Sequence, residues 1–185
     1  MSNGNKKLNF KKVGLLIGSD TDIEALALRH TLEYFGYEVP IKWISRPNDF
    51  VEFLQGKLFS RDINIYLLCL HGTNGKFVMP KLSKDIYTIN EPKGNIGSET
   101  INMESRLKNK IIISTACSVG NVNVAKSFIK NDSTYIAAKG YVEGNAALIF
   151  CQHFFYHLIV NSDINKSFES SRNIDNETML FKIFS

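Results

Sequence analysis

Two side chains with complementary chemistry stand at the ends of two apolar runs. Residues 63–71 read INIYLLCLH and finish in His71-Gly72. Residues 110–121 read KIIISTACSVGN and carry Cys117 just beyond three isoleucines. A β-branched apolar run bounded by polar turn residues is the pattern of a buried strand. Each run therefore predicts a strand, and each sets a reactive side chain where strand gives way to loop. In open α/β sheets that is the end at which ligands bind. If the two strands are parallel neighbours, their ends lie about 5 Å apart. A thiol and an imidazole would then share one sheet edge. The chemistry this suits is nucleophilic: a thiolate attacks a carbonyl while the imidazole handles the proton. A free thiol ionises near pH ~8.5, so it needs that help at neutral pH.

The other candidate residues read as structural. Cys69 and Cys151 lie inside apolar patterns, where free cysteine behaves as a small buried residue. His153 and His157 are four apart on one helical stretch, a spacing that can hold a metal, but no Glu or third ligand is close in sequence and no metal site is expected. His30 reads as a solvated helix residue. Gly18-Ser19-Asp20-Thr21-Asp22 opens a helix and could face an anion. Its two carboxylates oppose one, so a plain cap by Asp20 or Thr21 is expected.

Around these residues the pattern predicts strands over 12–19, 38–45, 63–71, 110–117 and 133–138, with a last edge strand at 179–184. Helices are expected over 22–35, 49–59, 98–107, 121–131, 145–160 and 163–172. A hairpin with Pro80 at its bend is expected within 76–89. Residues 90–97, NEPKGNIG, should be an exposed, mobile loop. The alternation of strand and helix implies a mostly parallel sheet with helices on both faces. The 185 residues fit one domain, 1–185, with 1–11 as a flexible tail.

Composition narrows the function classes. Hydrophobic residues at 44% and charged residues at 22% describe an ordinary globular chain. A net charge of +4, scattered rather than gathered on one face, does not predict nucleic-acid binding. No run is long enough to span a membrane, and the polar first dozen residues lack a signal-peptide core. Three cysteines without C-x-x-C spacing predict neither a disulfide framework nor a zinc site, and fit a reducing cytoplasm.

The strand ending His71-Gly72 and the strand ending STACSVG resemble the corresponding stretches of caspase-like, clan CD cysteine peptidases, and the CHAT-like branch in particular. So do residues 135–138 followed by the aromatic stretch 146–158. Caspases place the His about 50 residues before the Cys, and here it is 46. The pattern departs from the caspase Q-A-C-x-G signature, with Thr115 in the place of Gln, so aspartate specificity is not implied. The resemblance implies a Rossmann-like three-layer sandwich with a Cys117–His71 dyad. It also implies an oxyanion site at the N–H groups of Gly72 and Cys117, and no cofactor. Thr115, Ser118, Lys139, Tyr141 and Glu143 would meet the protein or peptide substrate, with the loop 139–143 setting the choice. A regulatory protein partner or homo-oligomer, and a role in bacterial defence or regulated cell death, would accompany such an enzyme. A catalytically silent scaffold of the same fold, and a small-molecule α/β enzyme, are the alternatives. The first 50 residues also resemble the start of carboxyaminoimidazole mutases, but the likeness stops at residues 44–47, where no His precedes Arg46, and nothing downstream continues it.

Overall fold

A computed structural model describes residues 11–185. All of the expected tail except Lys11 lies outside the described residues. The central sheet has six strands: β1 (Val13–Ile17), β2 (Ile41–Trp43), β3 (Ile65–Cys69), β6 (Ile111–Ser114), β7 (Thr134–Ala138) and β8 (Phe181–Phe184). Their order is β2-β1-β3-β6-β7-β8. All neighbours are parallel except β7 and β8, so the last strand closes one edge in the opposite sense. Two short strands, β4 (Gly72–Thr73) and β5 (Lys76–Phe77), form a separate hairpin.

Strand parity divides the core into two layers. Leu15, Ile17, Leu67, Cys69, Ile113 and Ile136 point to one face. There they meet α1 (Asp22–Tyr34), α5 (Gly144–Asn161) and α6 (Ile164–Arg172). Leu16, Tyr66, Leu68, Ile112 and Tyr135 point to the other face. There they meet α2 (Pro47–Leu54), α3 (Ser98–Glu104) and α4 (Val122–Ile129). Strands buried on both faces explain why their sequences read as nearly unbroken apolar runs. The result is a three-layer α/β sandwich whose strand-to-helix loops lie at the carboxyl edge of the parallel strands.

Three segments differ from the sequence expectation. The hairpin forms around Asn74-Gly75 rather than within 76–89, because both residues take a positive φ (48° and 72°) that tight hairpin turns require. Helix α2 starts at Pro47, whose fixed φ suits the first helical position, and Asp49 accepts the Ser45 and Arg46 N–H groups at 2.8 and 3.0 Å. It ends before Gly56, which is left-handed (φ 72°). The segment 90–97 is not uniformly exposed. Glu91 is buried and accepts five hydrogen bonds, from Arg46 Nε and Nη2, Asn48 N, Thr88 N and Thr88 Oγ1. Ile96 is fully buried and exchanges backbone hydrogen bonds with Phe77 at 2.8 and 2.9 Å. Pro, Gly and Asn mark a chain without regular structure, but they do not reveal that a carboxylate inside it is claimed by a distant arginine. Among the described residues no helix is long and apolar enough to cross a membrane, and no group of three potential ligands could hold a metal ion.

Candidate active site

The register of β3 and β6 brings His71 and Cys117 together. Each β3 residue pairs with the residue 46 further on, from Ile65↔Ile111 to Leu68↔Ser114. Cys117 follows His71 by the same 46 residues. The two therefore leave adjacent parallel strands at matching positions. Both line one cleft of about 470 Å³ at the carboxyl edge of the sheet. His71 is exposed and Cys117 half-buried, with Sγ 3.5 Å from the Val142 carbonyl oxygen in donor geometry.

The main chain around the pair is tightly fitted. A side chain at Gly72 would overlap the Cys117 carbonyl oxygen and come within 3.0 Å of Cys117 N and C. Only glycine lets the two loops approach this closely. Val78 N–H donates to the His71 carbonyl at 2.9 Å, so His71 and Val78 form a hydrogen-bonded pair of the hairpin. By antiparallel alternation Gly72 opposite Phe77 is then a non-hydrogen-bonded pair, and the Gly72 N–H points away from the hairpin. After Cys117 the chain turns through Ser118 (φ 63°), whose N–H donates to Gly140 O at 2.8 Å. Ala116 N–H donates to Ser114 Oγ at 3.1 Å. Among the described residues the Cys117 N–H between them has no partner. Gly120 then packs flat on the main chain of Ala137 and Ala138, which locks the Cys117 turn to β7.

The expected substrate contacts separate into two groups. Thr115 is buried and lines the cleft. Ser118 lies on the far side of the turn, in a neighbouring groove of about 410 Å³ shared with Asn74 and Lys76. Lys139, Tyr141 and Glu143 are exposed and outside the lining; the wall there is Val142, followed by Gly144 and Asn145.

One residue of the cleft had no part in the sequence reading. Glu24, in the first turn of α1, lines it beside His71 and Cys117. Thr21 explains the placement: its hydroxyl donates to Cys69 O at 2.7 Å and pins the start of α1 to the end of β3. Glu24 Oε1 is buried without a hydrogen-bond partner among the described residues. Burial pushes the Glu24 carboxyl pKa up, while the Thr115 hydroxyl, the Cys69 thiol and His71 pull it down. In sequence an acidic residue in a first helical turn reads as a complement to the helix dipole. The signal available was positional, since the first turn after β1 must lie at the same sheet edge as the end of β3.

Burial pushes the Cys69 and Cys151 thiols far up, so both stay protonated in the core. Burial, then His157, pushes the His153 pKa down.

Six strands in this order, with three helices on each face and the strand ends carrying the cleft, set the architecture. The fold is caspase-like. A solved structure with the same fold is that of a secreted C11 cysteine protease from Bacteroides thetaiotaomicron in complex with an irreversible peptide inhibitor. It shares 10% identity at a TM-score of 0.55, over 86% of this chain and 56% of that one. The chain thus spans little more than half the length of that protease. A flavodoxin from Streptococcus pneumonia TIGR4 matches less well, with a TM-score of 0.45 and 12% identity over 80% of this chain and 98% of its own. No family model and no curated protein matches the sequence.

Proposed function

We propose that this caspase-like chain is a cysteine endopeptidase that hydrolyses peptide bonds of a protein substrate with Cys117 and His71. The observation that carries the reading is the shared register, which sends both side chains off adjacent strands into one open cleft. A neighbour of the same fold, a C11 cysteine protease in complex with an irreversible peptide inhibitor, supports the same class.

His71 takes the thiol proton as Cys117 Sγ attacks the scissile carbonyl carbon. The negative charge that develops on the carbonyl oxygen is met by the N–H groups of Gly72 and Cys117. His71 then gives its proton to the departing amine, and the C–N bond breaks to leave a thioester. Water, deprotonated by the same imidazole, hydrolyses the thioester and restores the thiol. Thr115 floors the substrate-binding cleft, and Ser118, Lys139, Tyr141 and Glu143 meet parts of the substrate further from the scissile bond. A CHAT-like enzyme would be held under control by a regulatory partner protein or by self-association.

The test is a proteome cleavage screen with wild type, Cys117→Ala and His71→Ala. Both variants lose all cleavage while keeping the circular dichroism of the wild type. Cleavage retained by purified Cys117→Ala overturns the reading.

A further inference from the structure

The turn that carries Cys117 has a hollow on each side. Cys117 lines the larger cleft, and Ser118 lines the groove of about 410 Å³ beside it. The hairpin of β4 and β5 walls this groove and is seated on the turn at two points. Gly72 lies on the Cys117 main chain, and at Gly75 a Cβ would stand 2.8 Å from Asn121 Nδ2. The groove is therefore held by the same close contacts that hold the Cys117–His71 pair.

Its lining is polar and carries a single charged side chain, Lys76, among Asn, Ser and Gly residues. Gly97 fixes the course of that lysine. A Cβ there would come within 3.0 Å of Lys76 Cγ and 3.5 Å of Cδ and Cε, so only a bare main chain lets the alkyl stem lie against it. Lys76 is exposed, and its ammonium makes no ion pair among the described residues. Past Ser98 and Asn123 the groove opens into a hollow of about 330 Å³, where Glu99 and Lys126 offset each other. The uncompensated positive charge is thus confined to the part next to the Cys117 turn.

A peptide whose carbonyl reaches Cys117 Sγ keeps the residue bearing that carbonyl in the cleft, because Sγ rests there against Val142 O. The chain beyond the scissile bond then leaves over Ser118 into the groove. Lys76 pairs with Thr73 in the hairpin, one residue on from Gly72. At about 3.3 Å per extended residue, its ammonium is in reach of the second or third residue of the departing chain. The amides and hydroxyls on the way can both donate to and accept from a peptide main chain. An acidic side chain at that point meets an opposite charge, and a basic one meets a like charge.

We propose that the groove at Ser118 binds the amine-side part of the substrate, and that Lys76 selects Asp or Glu at the second or third residue after the scissile bond. This rests on Cys117 being the nucleophile of a peptidase.

The experiment digests a proteome-derived peptide library and reads both sides of every cut by mass spectrometry. Pooling the cuts makes the result independent of which residue precedes the bond. With wild type, Asp and Glu are enriched about 2- to 5-fold over Asn and Gln at the second or third residue after the cut, the range of an exposed ion pair. High salt shrinks the enrichment. Lys76→Gln removes it, and Lys76→Glu turns it into an enrichment of Lys and Arg. Lys57→Gln, an exposed charge beyond the end of α2, leaves it as in wild type. Enrichment is a ratio among cuts made by one protein, so a loss of overall activity does not move it. Cuts without this enrichment, enrichment on the carbonyl side instead, or enrichment that survives Lys76→Glu overturn the inference and leave the peptidase reading standing. If wild type cuts no more bonds than Cys117→Ala, the peptidase reading fails and takes the inference with it.

Discussion

Gly72→Ala tests the contact on which the site geometry depends. The added methyl would lie on the Cys117 carbonyl oxygen and 3.0 Å from two further main-chain atoms of the same residue. No rotamer change relieves an overlap with backbone, so the His71 and Cys117 loops must move apart. Overpacking of this type costs about 1–3 kcal/mol, and the main-chain nature of the clash places Gly72→Ala near ~3 kcal/mol. For a chain of this length each kcal/mol lowers Tm by about 2–4 °C, so the expected loss is about 6–12 °C. Gly94→Ala is the control, because its Cβ would meet nothing within 4 Å; it should be neutral or up to about 1 kcal/mol stabilising. Thermal denaturation followed by circular dichroism measures both. If Gly72→Ala melts within about 2 °C of Gly94→Ala, the close packing of the two loops is refuted.

Four further outcomes are expected. The Arg46 guanidinium, with backbone donors of Thr88 and Asn48, holds the Glu91 carboxyl at about 2, below its usual 4.5. Its contribution to stability is therefore complete above pH 4.5 and is lost as pH falls towards 2, and Glu91→Gln flattens this part of the pH–stability curve. Iodoacetamide labels Cys117 well before Cys69 or Cys151 in the native protein, read by peptide mapping, because only Cys117 is reachable from the cleft. Phe150→Ala, which empties a ring stacked at 3.9 Å on Phe181, costs about 3–5 kcal/mol in urea unfolding. Limited proteolysis cuts first within 81–90, where nearly every residue is exposed, and spares the bonds on either side of Glu91 and Ile96.

Much of the fold was legible because the strands are buried on both faces. The isoleucines 111–113 and the run from Ile63 to Leu70 announce themselves by composition alone. So does the pairing of His71 with Cys117, once two such runs are taken as parallel neighbours. What escaped depends on contacts between distant residues. Glu91 looks like a loop carboxylate until Arg46 is seen to close on it, 45 residues away in sequence. Glu24 looks like a helix-dipole partner until the crossover of α1 sets it over Cys69 and Thr115. The loop 139–143 was placed at the right sheet edge, yet only Val142 of its side chains lines the cleft, because facing in an extended chain reverses with each residue.

The spacing between His71 and Cys117 is set by hydrogen-bond register, not by the length of chain that joins them. Between the Phe77–Ile96 bridge and the contacts of Arg46 with Ile86 and Glu91, residues 83–85 are exposed. Chain added there leaves both strand ends where they are. Doubling the length of such a loop costs only about 0.6 kcal/mol in closure entropy. This makes 83–85 the natural port for grafting a reporter or an affinity handle into the protein without moving either side chain of the pair.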